Sequence, residues 1–229
     1  VTGAWPVVRS RGGAGPFHDR ALPDPFEPAL WWFEVDRPTV VLGSTQRDDV
    51  VDHRRAAAAG VEVVRRRSGG GAVWLAPGEA TWVDVLLPAT DSRWVDDVGR
   101  AAGWLGRAWQ RVLERTGGVD PGAARVHEGP MVRTPWSALV CFGGLAAGEV
   151  AVGAGKAVGI SQRRARAGAR FQCAVLHRWD PVPLLDLLAL SEGDRARAAA
   201  DLAGAGWPVA GPAGEELVLA LARELGETA

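Results

Sequence analysis

Along this chain apolar positions fall mostly into short runs cut by Gly and Pro, the pattern of buried strands joined by tight turns. Residues 1–30, rich in Gly, Pro and Arg, read as an irregular lead-in with a short helix near Leu30-Trp31-Trp32. Thr39-Val40-Val41-Leu42 reads as a buried strand ended by Gly43. Asp48-Asp49 opens a short helix that runs to Ala59 and stops at Gly60. Val61-Glu62-Val63-Val64 is a second strand, and residues 72–75 and 81–87 read as a hairpin across Pro77-Gly78.

Helical spacing is clearest from Ser92 to Arg115, where Val95, Val98, Ala102, Leu105, Trp109, Val112 and Leu113 share a face before Gly117-Gly118. Gly99, Gly103 and Gly106 inside that span either weaken the helix by about 1 kcal/mol each relative to Ala or mark close packing. Between 137 and 176 short strands alternate with Gly turns, at 139–142, 149–152, 157–160 and 171–176. From Pro181 the chain turns Ala- and Leu-rich and reads as two or three helices broken between Gly204 and Gly214. The economical expectation is one α+β domain over 1–229, with its motif-bearing core at about 38–178 and a helical tail at about 181–229.

Charge narrows the function. The 229 residues carry 26 basic and 27 acidic side chains, so the footprint of a dedicated nucleic-acid binder is missing. No apolar run reaches the roughly 18 residues of a membrane span, and the first residues lack the basic and apolar regions of a secretory signal. With only two cysteines, Cys141 and Cys173, the expectation is a cytoplasmic protein without a disulfide scaffold. Every basic residue is Arg except Lys156, and Asn and Tyr are absent, a skew that fits a GC-rich gene. A lysine kept under that pressure suggests a task for a compact ammonium that a planar guanidinium cannot perform.

Three segments could carry chemistry. Arg65-Arg66-Arg67-Ser68-Gly69-Gly70-Gly71 sets three guanidiniums against three glycines between two strands. Such a loop either presents backbone N–H groups to a carboxylate or phosphate, or is a flexible turn beside a solvated charge run. Lys156 lies at the Gly-flanked start of Gly155-Lys156-Ala157-Val158-Gly159-Ile160-Ser161-Gln162, where a strand would hold its ammonium rigidly. Cys141-Phe142 ends an apolar run upstream of that lysine; its thiol is either a nucleophile beside positive charge or a small core residue, and Cys173 has the same two readings. His18, His53, His127 and His177 match no metal-ligand spacing, so no metal is assigned. Asp84, opposite its apolar neighbours on a strand, reads as facing solvent.

Together these segments resemble the family of lipoate–protein ligases and octanoyltransferases, which shares its catalytic domain with biotin ligases. Val41-Leu42-Gly43-Ser44-Thr45-Gln46 is similar to the family's early strand and turn, Arg65 to Val73 to its Arg-Arg-x-Ser/Thr-Gly-Gly-Gly-Ala-Val segment, and Gly155 to Gln162 to its lysine segment. The resemblance implies a mixed sheet flanked by helices. It also implies an acyl slot walled by Arg67, Ser68, Gly69, Gly70, Gly71 and Ala72 with Gly155, Gly159 and Ser161, and an oxyanion-stabilising Lys156. The acceptor would be a lysine on a lipoyl carrier domain, as in the glycine cleavage H protein or the acyltransferase subunits of 2-oxoacid dehydrogenases.

Two chemistries share that scaffold. Ligases activate lipoate with ATP and Mg2+; cysteine-dependent octanoyltransferases need no cofactor and pass the acyl group from acyl carrier protein through a cysteine. Cys141-Phe142 matches the Cys-Phe step of one transferase branch, and the stretch after Lys156 is short for an accessory domain, so the resemblance points to the transferase. The alternatives are the ligase and a non-catalytic binder of acyl chains or carrier domains. The chain departs from the family where a common His-Asp pair becomes Leu75-Ala76 and a His-His-Gly or Gln-His-Gly step becomes Gln172-Cys173-Ala174.

Overall fold

The computed structural model describes residues 4–227. In chain order its elements begin with β1 (Val7–Gly12), α1 (Ala14–Asp19), β2 (Ala29–Val35) and β3 (Thr39–Leu42). Next come a 3-10 turn (Asp48–Val50), α2 (His53–Ala58), β4 (Glu62–Arg65), β5 (Val73–Leu75), β6 (Ala80–Pro88), α3 (Gly103–Arg115) and β7 (Ala124–Val126). A second 3-10 turn (Cys141–Gly143) precedes β8 (Val150–Val152), β9 (Gly155–Ala165), β10 (Gly168–Leu176), α4 (Val182–Leu187), α5 (Glu192–Leu202) and α6 (Glu215–Glu227). The strands form two sheets, a seven-stranded one in the order β1-β2-β6-β10-β9-β8-β7 and a three-stranded one in the order β4-β3-β5. Both are mixed: β1 with β2 and β3 with β4 run parallel, and the other neighbours run antiparallel. This is the α+β arrangement of mixed sheet and flanking helices that the sequence leads one to expect.

Side-chain alternation along the strands builds the layers. Val83, Val85 and Leu87 of β6 pack with Leu105, Trp109, Leu113, Leu217 and Leu221 of α3 and α6 on one face of the large sheet. Trp82 and Leu86 of the same strand face the small sheet, meeting Val41 and Leu75 across a layer rich in aromatic rings. The small sheet's outer side, Val40 and Leu42 among others, packs on helices α4 and α5. A cleft between the two sheets is the result.

Several expectations fail for physical reasons. Leu30-Trp31-Trp32 is strand, not helix: Leu30 and Trp32 enter one core layer while Trp31 and Phe33 enter the other, so burial on both faces hides the period of two. The lead-in is also less irregular than expected, since β1 and α1 lie within it. Residues 72–75 and 81–87 form no hairpin, because β5 and β6 belong to different sheets and the chain crosses between them through Gly78, at φ +78°. The long helix begins only at Gly103, and residues 92–102 form turns. Gly106 marks close packing, because a Cβ there would lie 2.1 Å from the Gly148 carbonyl oxygen. Residues 139–142 hold only one bridge, Ala72 with Val140, before the second 3-10 turn.

Asp84 is fully buried rather than solvated. It does point away from Val83 and Val85, but the space it enters is the aromatic layer, where Arg170 meets it at 2.6 Å and the Trp82 indole donates at 2.8 Å. Arg170 also donates to the carbonyls of Phe17 and Arg20, which fastens α1 to the large sheet. The tail folds as three helices, and the segment before α6 returns to β9: Lys156 N–H donates to Ala205, and Trp207 N–H donates back to Lys156.

Candidate acyl-binding cleft

The Gly-rich loop owes its shape to Arg66. This guanidinium is buried and donates to the carbonyls of Gly69 at 2.8 Å and Gly71 at 2.9 Å, pulling the loop around itself. Two contacts demand glycine. A Cβ on Gly43 would sit 1.9 Å from the Gly70 carbonyl oxygen, and one on Gly71 would sit 2.7 Å from the backbone of Val140. Ala72 then exchanges backbone hydrogen bonds with the other side, its N–H donating to Leu139 and its carbonyl accepting from Cys141. The loop therefore sets the position of the Cys141 segment.

That segment, β9, β10 and the small sheet enclose the cleft, about 470 Å³ with its mouth included. Its walls are mainly apolar: Val41, Val73, Leu75, Trp82, Phe142, Ile160, Cys173 and Ala174, with Gly159 leaving the floor open. A Cβ at Gly159 would press on the Phe142 ring at 3.3 Å. Polar groups are few: His18, Arg66, Ser161, Gln172 and the partly exposed Cys141. Ser68 ties the loop to the floor, its hydroxyl 3.0 Å from that of Ser161 and donating to Gln172 Oε1 at 3.3 Å. A narrow apolar slot with a few convergent polar groups suits an extended hydrocarbon chain.

Lys156 is almost completely buried, at 3% exposure, and its ammonium is fully engaged. Nζ donates to the Cys141 carbonyl at 2.7 Å and to both carboxylate oxygens of Glu149, at 3.1 and 2.9 Å. It also lies 5.0 Å from the centre of the Phe142 ring. Glu149 accepts in addition from the backbone N–H groups of Ala146 and Ile160, so the carboxylate is held by three donors. Gly155, on the same strand, packs against residues 204–207.

Of the residues singled out from sequence, Cys141, Gly159 and Ser161 line the cleft; Ser68, Gly69, Gly70, Gly71 and Ala72 frame it, and Lys156 reaches its edge through Cys141 and Phe142. Arg67 does not line it: half-exposed, it lies 3.6 Å from Asp19, and Arg66 takes the inner position. Cys173 is buried, and desolvation pushes its thiol far above the usual range, so it is an inert wall residue. Sequence reasoning missed Glu149, His18 and Gln172 as contributors to the site. Glu149 was the only charge within a run of small apolar residues, the one available signal; His18 lay in the stretch read as irregular.

His18 stacks on Trp82, ring centres 4.6 Å apart, and faces Gln172, whose Nε2 lies 3.2 Å from Nδ1. Burial first, then the charges of Arg170 and Arg66, lower its pKa to about 3, so the ring is neutral. Among the described residues no group of three or more His, Cys, Asp or Glu is placed to hold a metal ion, and no helix is long and apolar enough to cross a membrane.

The overall fold is similar to that of solved lipoate and biotin protein ligases. A bipartite lipoate protein ligase from Thermoplasma acidophilum, described with its E2 lipoyl domain, superposes with a TM-score of 0.74 over 98% of this chain and 83% of its own, at 19% identity. A putative lipoate protein ligase from T. acidophilum with bound lipoic acid gives 0.61 over 98% of this chain and 94% of its own, also at 19% identity. Biotin protein ligase from Leishmania major, in complex with biotinyl-5-AMP, gives 0.50 at 11% identity, over 97% and 74% of the two chains. A search of the curated proteins finds no match. The fold is thus that of the ligase catalytic domains. The profile of the lipoyl protein ligase A/B catalytic domain matches residues 19–204, and the chain belongs to that family.

Proposed function

We propose that this catalytic domain is an acyltransferase of protein lipoylation, carrying an octanoyl or lipoyl group on Cys141 and passing it to a lysine of a lipoyl carrier domain in the cytoplasm. The observation that carries this reading is the placement of Cys141 on the wall of the apolar cleft, with its own carbonyl bonded to Lys156.

In this reading the donor is an acyl thioester on acyl carrier protein. The Cys141 thiolate attacks the thioester carbonyl; the C–S bond to the donor breaks, and the donor thiol leaves with the proton that Cys141 gave up. The carrier lysine's neutral amine then attacks the Cys141 thioester. An amide forms, one amine proton returns to the thiol, and Cys141 is free again. Lys156 supports both steps as a preorganised positive charge, its Nζ turning from the Cys141 carbonyl to the acyl oxygen while Glu149 keeps hold of it. The solved relative described with its E2 lipoyl domain supports lipoyl carrier domains as acceptors.

The test is intact mass spectrometry after mixing the protein with octanoyl acyl carrier protein in the absence of ATP. A gain of one octanoyl group, removed by hydroxylamine and absent in Cys141→Ser, is the expected result; no adduct sinks the thioester route.

One observation favours a second reading, ligation through lipoyl-AMP with ATP and Mg2+. Burial, with the charges of Arg67 and Arg170, presses the Arg163 guanidinium below its usual value. Two neighbouring guanidiniums, Arg67 and Arg163, suit a phosphate. Lipoyl transfer to a carrier domain that depends strictly on ATP and survives Cys141→Ser would select this route.

A further inference from the structure

The cleft wall carries hydrogen-bond donors that the protein itself does not use. His18 is 6% exposed and its Nε2 has no partner. The Gln172 amide settles its tautomer: its Oε1 accepts from the Ser68 hydroxyl, so Nε2 of Gln172 is the atom facing His18, and Nδ1 must accept. With the ring neutral, the proton lies on Nε2. Arg66 Nε, on the same cleft, is also buried without a partner.

Position tells which part of an acyl chain would meet them. Phe142, next to Cys141, lies over Gly159 of β9. His18 lies over Trp82 of β6, and the strand register runs Gly159–Ala174–Trp82 straight across the sheet. Two strand spacings separate the ends, roughly 10 Å, so a chain whose carbonyl sits at Cys141 brings its far end to His18. Trp82 lines that end of the cleft, and Phe17 and Phe33, stacked on each other at 4.2 Å, pack against it.

We infer that His18 is a specificity-determining residue that favours an acyl chain ending in sulfur, the dithiolane of a lipoyl group, over a plain octanoyl chain. The inference rests on the acyl-slot reading above. A hydrocarbon end covers the Nε2–H and leaves it unsatisfied, whereas a disulfide sulfur accepts from it and contacts the aromatic edges. A buried donor without an acceptor discriminates against the chain that lacks one.

The test uses two neutral, unreactive probes, lipoamide and octanamide, so that neither ATP nor thioester chemistry enters. Their dissociation constants are measured by calorimetry for the unaltered protein and for His18→Phe, which keeps the ring and removes the donor. The expected result is a lipoamide preference about fivefold or more above that of His18→Phe. An unchanged ratio overturns the inference and leaves the acyl slot standing. Binding of neither probe removes the slot reading and this inference with it. Should His18→Phe fail to fold, histidine 15N resonances of the unaltered protein decide: a shift of the His18 Nε2–H signal with lipoamide and not with octanamide supports the role, and equal responses overturn it.

Discussion

Glu149, just before β8, and Lys156, on β9, face each other as a buried pair, both carboxylate oxygens within 3.1 Å of the ammonium and both residues less than 5% exposed. The pair has two functions in one geometry. Glu149 compensates a charge that burial would otherwise penalise, and it aims that charge at the Cys141 backbone.

Glu149→Gln removes the counter-charge and keeps the shape. An uncompensated buried lysine costs about 3–5 kcal/mol, so the urea midpoint is expected to fall far more than for a surface Glu→Gln change. Acyl transfer by the variant that remains folded should also drop, since Lys156 loses its aim. A wild-type midpoint would show that the pair contributes nothing to stability.

Lys156→Arg should not rescue transfer. The ammonium fits between Glu149, the Cys141 carbonyl and the Phe142 face, and a planar guanidinium cannot satisfy all three. A loss of about 10²-fold or more in single-turnover transfer is expected, with lipoamide binding largely kept. Transfer within a few-fold of wild type would remove Lys156 from the chemistry.

Two neighbouring glycines should behave oppositely. A Cβ at Gly69 meets nothing within 4 Å, whereas at Gly71 it meets the Val140 and Cys141 backbone at 2.7–2.8 Å. Gly69→Ala is expected to keep activity and melting temperature near wild type. Gly71→Ala must push the Cys141 segment away from Ala72, and transfer should suffer more than stability. Equal tolerance of both changes would contradict the contact.

His18 makes stability depend on pH in a defined direction. Its folded pKa of about 3 lies below the unfolded value near 6.5, so the unfolded chain binds the extra proton first. The stabilisation is complete above pH 6.5 and is lost as pH falls towards 3, at up to roughly 1.4 kcal/mol per unit. Denaturant titrations between pH 7 and 4 should show this slope, and His18→Phe should flatten it relative to wild type.

What could be read from sequence and what could not divide along a physical line. The Gly-rich loop and the lysine strand are local: adjacent residues supply the turn, the close approach and the charge, so their spacing alone exposes them. Asp84 and Arg170 are 86 positions apart, and nothing in either neighbourhood says that the two strands lie side by side. Leu30 to Phe33 misled because both faces of that strand are buried, which removes the alternation that distinguishes strand from helix. His18 reaches the cleft because Arg170, Glu62 and the ring contacts of Phe17 hold α1 in place, tertiary events that local periodicity does not record.

The return of the chain to β9 before α6 bears on how the protein can be cut. Lys156 receives and gives backbone hydrogen bonds to Ala205 and Trp207, beyond residue 204, where the family match ends. A fragment trimmed at that boundary would leave the lysine's own strand with a bare margin, its amide and carbonyl open to water or to another chain. The shortest fragment that keeps Lys156 in its place therefore extends past the matched segment, with its boundary set by the last residues that pair with Lys156.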